Sequence, residues 1–299
     1  MAIPEAQLQI WSNPGAAVIA QQTYASVQTA LDAPTSSVRD KNKDVFLQGS
    51  YRNNTNIYGD SDVDIVVKYN DTWGRDLSLL PQQQAELYLR AHEIAEYSWT
   101  HFRADVLASL RAYYGVGVIT EGNKSINIAG APGRLPADVV PAITYKRFNY
   151  FITGHLQDYA EGIRFHDRRD GREIINYPKQ HIQNGQEKNS GPRTGGQYKP
   201  TVRMFKNARS RLIDDGAITR EIAPSYFVEC LLYNVPDVLF GPGRQATMQG
   251  ILQWLLGAPL PPMVCQNGIV PLFGPTPEQW SIPNATAFIG ALVHMWNGW

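Results

Sequence analysis

Cysteine and unbalanced charge are both scarce in this sequence. Only two of the 299 residues are cysteines, Cys230 and Cys265, and both stand in apolar surroundings. This usage predicts two buried free thiols in a reducing compartment rather than a disulfide framework. The 27 Lys and Arg residues balance the 27 Asp and Glu residues. A neutral chain is a poor match to a protein that coats DNA or RNA, so we expect no strong nucleic-acid binding.

Long hydrophobic runs are also missing. The sequence has no run of about 18 apolar residues, so we expect no transmembrane helix and no membrane partner. The N-terminal residues MAIPEAQLQIWSNPG lack the basic start and apolar centre of a signal peptide. Hydrophobic residues still make up 43% of the chain, which is enough for a large core. We therefore expect a globular, cytoplasmic protein. We also expect it to be a monomer.

Hydrophobic spacing predicts a helix, then a mixed α and β region, and then helices alone. Residues 5–33 are predicted as one helix and residues 81–115 as one or two. The side chains of the second region that should face inward are Leu87, Ile94, Phe102, Val106, Leu107 and Leu110. Strands are predicted at 44–48, 62–69, 124–128 and 137–144, the last as an edge or bulged strand because it contains Pro141.

The rest of the chain predicts a hairpin, a loop and four helices. A hairpin is predicted at 162–178, with its turn at Asp170–Gly171. Residues 183–198 are rich in Gly, Asn, Gln and Ser, which predicts a mobile loop that becomes ordered when nucleotide binds. Helices are predicted at about 200–213, 224–234, 244–256 and 284–297.

The segment FLQGSYRNNTNIYGDSDVDIVV, residues 46–67, carries charges that a buried strand does not ordinarily tolerate. Residues two apart on a strand face the same side, so Asp62 and Asp64 point together, while Val63, Ile65 and Val67 face the other way. Two adjacent carboxylates repel each other unless a cation lies between them. Mg²⁺ suits such a site, with Mn²⁺ as the alternative, because it prefers oxygen ligands and keeps positions open for water and phosphate.

A third carboxylate and a glycine turn extend this prediction. Asp138 is the acid in the predicted strands between residues 115 and 145, and it would complete a site for two metal ions. Gly49 and Ser50 end the preceding strand, where glycine allows close approach of a phosphate and a helix start attracts an anion. Asp60 is two residues before Asp62 and would face the same side of a strand as Asp62 and Asp64. Its neighbours Gly59 and Ser61, however, favour a turn, in which Asp60 would be a turn cap rather than a metal ligand.

Several stretches resemble a known family. GSYRNNTNIYGDSDVDIVV resembles the signature of nucleotidyltransferases with a DNA polymerase β palm, and more narrowly that of the bacterial cyclic-oligonucleotide synthases of anti-phage signalling, which are relatives of cyclic GMP–AMP synthase and oligoadenylate synthase. IPEAQLQIWSNPGA, LPADVV, NYPKQHIQNG, YKPTVRMFKNAR, APSYFVECLLYNVP and the terminal PEQW and MWNGW resemble the pyrimidine-using branch of that family. The resemblance therefore covers essentially the whole chain.

The resemblance implies an α+β fold. A nucleotidyltransferase palm with an N-terminal spine helix would occupy residues 1–198, and a helical C-terminal lobe, residues 199–299, would close the active site. It also implies residue roles. Asp62, Asp64 and Asp138 match the metal-binding triad, and Gly49 and Ser50 match the phosphate-binding turn. Lys206 and Ser225 match residues that contact the triphosphate. Tyr226 matches a base-stacking aromatic residue, and Asn176 matches a position where asparagine accompanies pyrimidine preference.

The residues themselves support these roles unevenly. Lys199, Arg203 and Lys206 share one helical face, and residues 199–211 contain five basic residues and no acid. This pattern favours a triphosphate-facing surface over a solvated basic face. Taken without the resemblance, the position of Tyr226 near the start of an apolar helix favours core packing over base stacking. Asn176 could equally be a strand-end or turn asparagine, although its amide can pair with both donors and acceptors of a uracil or cytosine edge. The six histidines show no metal-ligand spacing.

The resulting functional hypothesis is a template-independent nucleotidyltransferase. It would join nucleoside triphosphates, with UTP and ATP as the expected substrates, into a cyclic dinucleotide that a separate effector protein reads. The alternatives are a nucleotidyltransferase that modifies an RNA end or a small-molecule acceptor, and a catalytically inactive nucleotide-binding scaffold. The intact aspartate triad argues against the scaffold, and the neutral composition argues against an enzyme that handles tRNA.

Overall fold

The computed structural model describes residues 2–15, 18–58, 62–93 and 95–299. It divides into two compact units. The helical unit comprises Met1–Gly15, Arg52–Asp60 and Gln180–Trp299, and the sheet unit comprises Ala16–Tyr51 and Ser61–Lys179. Packing thus assigns the first residues and 180–198 to the helical unit, whereas the sequence led to a single division after residue 198.

The helices and strands have the following bounds. The helices are α1 Glu5–Ser12, α2 Val18–Asp32, α3 Gly49–Asn53, α4 Gln82–Ala91, α5 Trp99–Tyr114, α6 Pro178–Lys188, α7 Gly191–Thr194, α8 Tyr198–Asp214, α9 Ser225–Tyr233, α10 Arg244–Gly257 and α11 Ile282–Gly298, with short 3₁₀ turns at Val116–Val118 and Asp237–Leu239. The strands are β1 Lys43–Leu47, β2 Val63–Asp76, β3 Ile119–Glu121, β4 Ile126–Ile128, β5 Ala137–Thr153, β6 Leu156–His166 and β7 Glu173–Asn176.

The sheet unit is built around β2 and β5. These strands pair in parallel, and the remaining pairings are antiparallel, in the order β1-β2-β5-β4-β3, with β6 joining β5 to β7. The apolar residues of β2, among them Val63, Ile65 and Val67, lie in one core with residues of α2 and α5. The alternation in the sequence predicted this inward face, and the structure confirms it.

Pro141 lies in a central strand, so the prediction of an edge strand at 137–144 is wrong. Proline is nevertheless tolerated there for a local reason. β2 pairs with Pro141 through Val67 on one side of β5. On the other side, β4 pairs only as far as Val139 and β6 begins pairing at Ile143. The missing N–H of Pro141 therefore removes no ladder hydrogen bond on that side.

The helical unit has its own core, made by α1 and by α8 to α11 together with the segment 263–280. The prediction of a mobile loop at 183–198 is wrong, because this stretch forms the second half of α6, then α7 and the start of α8. Its order comes from long-range contacts rather than from local propensity. The ammonium group of Lys188 is buried and bonds to Val235 O and Asp237 Oδ1, each at 2.8 Å.

The other helix predictions need smaller corrections. The predicted N-terminal helix is two helices, and only α2 packs on the sheet, while Leu8 of α1 lies in the core of the helical unit. Region 81–115 forms α4 and α5; Leu87 is 46% exposed rather than inward, and Ile94 lies outside the described residues. The hairpin at 162–178 and the four C-terminal helices are confirmed. No described helix is long and apolar enough to cross a membrane.

Candidate active site

Three polar side chains form a row across three adjacent strands of the sheet unit. Asp64 on β2 is directly opposite Asp138 on β5, and Asp138 is directly opposite Asn127 on β4. Directly opposed residues share a face of the sheet. The Asn127 amide donates a hydrogen bond to Asp138 Oδ1. The fold therefore brings the two predicted metal ligands together and supplies a donor that holds one of them.

Gly49 lies against the carboxylate of Asp64. Its φ is +68°, in the left-handed region that favours glycine, and a Cβ at this position would lie inside van der Waals contact of Asp64 Oδ2. The main-chain N–H of Gln48 donates to Asp64 O at 2.9 Å, which fixes the strand end beside the turn. Ser50 follows as the second residue of α3 and is half-buried. The predicted turn therefore adjoins one of the predicted metal ligands.

The third aspartate of the predicted triad, Asp62, is exposed and immediately precedes β2. Burial raises the pKa of Asp138, the hydrogen bond from Asn127 lowers it, and the charge of Asp62 raises it again. Such repulsion between carboxylates is what a bound cation would relieve. The ambiguous Asp60 lies outside the described residues.

The donor set fits a divalent cation only as an open site. No group of three or more His, Cys, Asp or Glu side chains that could hold a metal ion occurs in residues 2–15, 18–58, 62–93 and 95–299. Mg²⁺, however, is usually bound through one or two carboxylates together with substrate phosphates and water. Asp64 and Asp138 match that kind of site, because they lie side by side and Gly49 leaves space beside the carboxylate of Asp64.

Asn176 ends β7 on the same face of the sheet as Asp138. Thr144 is six residues after Asp138 on β5, an even number, so the two side chains face the same side of the sheet. Thr144 is directly opposite Ile163 on β6, and Ile163 is directly opposite Asn176, so all of them share that face. Asn176 is half-buried, and its side-chain amide has no hydrogen bond to any residue that the structure describes. An amide on this face is free to pair with a ligand edge.

In the helical unit, Lys206 is not at the surface. It is 3% exposed, and its ammonium group lies 3.0 Å from Glu229 Oε2, 3.1 Å from Thr55 Oγ1 and 3.3 Å from Thr55 O. An ammonium group has three donors, and all three are used. A contact between Lys206 and a triphosphate would require it to give up one of these acceptors.

Lys199 is the cation of the same helix that remains available. It is half-buried, and its ammonium group has no ion-pair partner within the described ranges. Burial lowers its pKa, Glu229 raises it, and the nearby cations Arg203 and Arg52 lower it further. The guanidinium of Arg203 is already bonded to Ser12 O at 2.6 Å and Asn54 O at 2.5 Å. The three cations together make a local positive field in a chain that is neutral overall.

Ser225 and Tyr226 are the first two residues of α9. Ser225 is half-buried, and Tyr226 is 44% exposed. Burial raises the phenol pKa of Tyr226 well above its ordinary value, and the neighbouring thiols of Cys230 and Cys265 raise it further, so its hydroxyl end points inward. Its ring stacks on the imidazole of His181, with centroids 5.5 Å apart and planes at 24°. Tyr226 is therefore a half-exposed platform, not a core residue.

Sequence reasoning missed several residues of these sites, among them Asn127, Glu229 and His181. Asn127 alternates with apolar residues in KSINI, a pattern that already places one polar side chain on a strand face. Glu229 is a lone acid in the apolar run YFVECLLY, which signals a buried partner. His181 gave no such signal, because its partners are distant in sequence. The two cysteines, in contrast, are buried free thiols as predicted.

Comparison with known proteins identifies both regions. Residues 36–108 match the nucleotidyltransferase domain, and residues 183–297 match the cGAS/DncV-like nucleotidyltransferase C-terminal helical domain. The chain is 42% identical over 300 residues to the cyclic UMP-AMP synthase of Rhodothermus marinus, which covers 100% of this chain and 99% of that protein. It is 38% identical over 247 residues to the cyclic dipurine nucleotide synthase of Elizabethkingia meningoseptica, covering 82% of this chain and 80% of that protein.

A solved structure agrees over the same length. The structure of the Rhodothermus marinus CdnE c-UMP-AMP synthase with Apcpp and Upnpp superposes with a TM-score of 0.88 and 41% identity, over 99% of this chain and 97% of that chain. The predicted fold class, a polymerase β-like nucleotidyltransferase domain with a C-terminal helical domain, is thereby confirmed.

Proposed function

We propose, from the premise that this chain belongs to the cGAS/DncV-like nucleotidyltransferase family of bacterial cyclic nucleotide synthases, that it joins ATP and UTP into a cyclic dinucleotide without a template. That it is a nucleotidyltransferase related to cyclic nucleotide synthases follows from its domains and relatives. The observation that carries the proposal is the register pairing of Asp64 with Asp138 beside the turn at Gly49.

The reaction is nucleotidyl transfer. A ribose hydroxyl of one nucleotide loses its proton and bonds to the α-phosphorus of a triphosphate, the bond between the α- and β-phosphates breaks, and pyrophosphate leaves. A second transfer of the same kind closes the ring and releases a second pyrophosphate. Nucleotidyltransferases generally use divalent metal ions. In this proposal Asp64 and Asp138 would hold Mg²⁺, and Asp62, just before β2, would join them as the third ligand when two ions bind. When bound, the ions supply charge compensation at the attacking and leaving oxygens. The chain's own contribution is to hold the carboxylates in place: Asn127 orients Asp138, and the turn at Gly49 leaves room for Asp64.

Triphosphate binding is assigned to cationic and helix-start groups. Gly49 and Ser50 provide a close main-chain approach and a hydroxyl, and Ser225 provides a hydroxyl at the start of α9. Lys199 is the better-placed cation for direct contact, because its ammonium group lacks an ion-pair partner in the described structure. Lys206 can reach a phosphate only after leaving Thr55 or Glu229, so its resting role is to neutralise Glu229.

Base binding is assigned to Tyr226 and Asn176. Tyr226 offers an exposed ring for stacking, which is worth about 1–3 kcal/mol per base. Asn176 offers both a donor and an acceptor to a uracil edge. One relative that spans the whole chain is named for UMP and AMP, while a relative that matches 82% of the chain is named for purines. The longer match favours a pyrimidine, and UTP is therefore the proposed partner of ATP.

The biological setting completes the proposal. The cyclic product would be read by a separate effector protein in anti-phage signalling, and the enzyme would act as a monomer in the cytoplasm. Support for this part comes only from the kinship with cyclic nucleotide synthases and from the neutral net charge, which disfavours a nucleic-acid partner.

The decisive experiment uses labelled nucleoside triphosphates and Mg²⁺ with no other substrate. Phosphatase-resistant small products are expected from the wild type and at least about 10²-fold less from Asp64→Asn, which keeps the shape and removes the charge. Products that appear only when RNA or a small acceptor is added would support the alternative transferase. Nucleotide binding without any product would indicate a scaffold. Circular dichroism of both proteins shows whether the variant is folded.

A further inference from the structure

Glu229 is the centre of a buried polar network in the helical unit. It is 3% exposed, and its carboxylate is contacted from three separate parts of the chain. Oε2 accepts from Thr55 Oγ1 at 2.8 Å and from Lys206 Nζ at 3.0 Å, and Oε1 lies 3.1 Å from His181 Nε2. Because a buried charge without partners is costly, these contacts constrain one another.

The protonation states in this network follow from the contacts. Burial raises the pKa of Glu229, but Lys206, His181 and Thr55 outweigh it and hold the pKa well below its usual range. An ionised carboxylate only accepts hydrogen bonds, so His181 Nε2 must carry the proton that it donates. The main-chain oxygen of His181 accepts from Gln266 Nε2 at 2.8 Å. The hydrogen bond to Glu229 therefore holds the imidazole of His181, and the hydrogen bond from Gln266 holds the backbone of the same residue.

The same imidazole packs against the exposed platform. Its ring stacks on Tyr226 with the planes nearly parallel, and His181 itself is only 8% exposed. Offset-stacked aromatic pairs restrict the orientation of both rings. Tyr226 is thus held on one side by a ring that cannot easily rotate, because that ring is tied to Glu229.

We propose that His181 is a positioning residue with two targets: the ring of Tyr226, which it aligns by stacking, and the ammonium group of Lys206, on the same helix as Lys199, which it aligns through their shared carboxylate Glu229. This inference rests on the proposed function for the identity of the ligand. Its physical content is narrower, namely that one histidine acts on Tyr226 through its ring and on Lys206 through its N–H.

Two substitutions separate these actions. His181→Gln keeps an N–H that reaches Glu229 but has no ring. His181→Phe keeps a ring for stacking but has no donor. We expect His181→Gln to raise the KM of one triphosphate about tenfold with kcat within about twofold, because base stacking weakens. We expect His181→Phe to lower kcat about tenfold with KM little changed, because Glu229 and Lys206 shift and α8, which also carries Lys199, no longer aligns the phosphates. His294→Gln, on the exposed face of α11, is the matched control and should match the wild type.

A double-mutant cycle tests the route through Tyr226. In a Tyr226→Leu background, His181→Gln should raise KM no further, since the ring on which it acts is gone. Additive effects of the two substitutions, or equal changes in both His181 variants, would overturn the positioning role. If His181→Phe fails to fold, the cycle of His181→Gln with Tyr226→Leu is unaffected. If His181→Gln fails to fold, His181→Phe should combine additively with Tyr226→Leu, because its ring keeps the stacking contact, and a non-additive result would overturn the proposal.

Calorimetric binding of the α,β-methylene analogues of ATP and UTP with Mg²⁺ keeps this test separate from the proposed reaction. If the wild type makes no product but His181→Gln still weakens the binding of one analogue about tenfold, the proposed function fails and the inference stands. If the wild type makes product and His181→Gln binds both analogues as the wild type does, the inference fails and the proposed function stands. Absence of analogue binding to the wild type contradicts both.

Discussion

Substitution of Gly49 by alanine gives a direct test of the carboxylate row. The added Cβ would meet Asp64 Oδ2, which must move by roughly 1 Å to reach a normal contact distance. A displacement of this size at a reacting centre costs about 10²-fold in rate, or about 2.7 kcal/mol in activation free energy. Alanine at φ +68° also costs roughly 1–2 kcal/mol of stability by itself.

Gly171→Ala is the matched control for that backbone cost. Gly171 has a φ of +73°, and nothing lies within 4 Å of its hypothetical Cβ. Both variants should therefore lose similar stability, about 2–4 °C in Tm for each kcal/mol, as measured by thermal denaturation. Only Gly49→Ala should lose about 10²-fold in product formation from ATP and UTP. Equal activity in the two variants would refute the claim that the turn exists to accommodate Asp64.

Three further outcomes follow from the structure. Asn176→Ser should lower pyrimidine incorporation relative to purine about tenfold, measured as product composition from an equimolar mixture of the four triphosphates, and an unchanged ratio would contradict a base-reading role. Lys206→Met should lower the free energy of unfolding by about 3–5 kcal/mol, measured by urea denaturation, because it leaves Glu229 without its cation. Lys199→Met should leave that free energy nearly unchanged and should weaken binding of the α,β-methylene ATP analogue. The reverse pattern would exchange the roles of the two lysines. The pKa of Glu229 is depressed in the folded state, so the carboxylate stabilises the fold above about pH 4.3, and this stabilisation is lost progressively as the pH falls below that value. The difference in unfolding free energy between the wild type and Glu229→Gln should therefore shrink between pH 5 and pH 3. A constant difference would contradict the assignment of Glu229 as ionised.

The sheet unit could be predicted from the sequence because its signals are local. Alternation in DVDIVV places Asp64 on one face and the valines in the core, and the position of Asp138 in a second short strand makes it the natural partner. What alternation cannot give is the register between strands that are distant in sequence. The direct opposition of Asp138 with Asn127, and the hydrogen bond it permits, appear only in the fold.

The helical unit was harder to predict because its decisive contacts are long-range. The composition of residues 183–198 suggests a loop, yet Lys188 bonds to residues more than 40 positions away, and these bonds help to hold the helix. The basic face of α8 was visible in the sequence, but nothing local shows that Lys206 turns inward to Glu229 while Lys199 does not. Propensity describes a residue's neighbours along the chain, and here the partners come from elsewhere.

The continuity of β5 has a consequence for how such an enzyme can diversify. The irregularity in the pairing of β2 with β5 falls on β2, between Tyr69 and Trp73, so β5 continues without interruption past Asp138 to the segment that pairs with β6. Insertion of one residue into β5 between Asp138 and Thr144 would move Thr144 and the residues paired with it, Ile163 and Asn176, to the face of the sheet opposite Asp138. Substitution at Asn176 leaves that geometry intact. If Asn176 meets the base as proposed, selection can alter that contact by point mutation, whereas a one-residue change in the length of β5 after Asp138 would disturb the whole row.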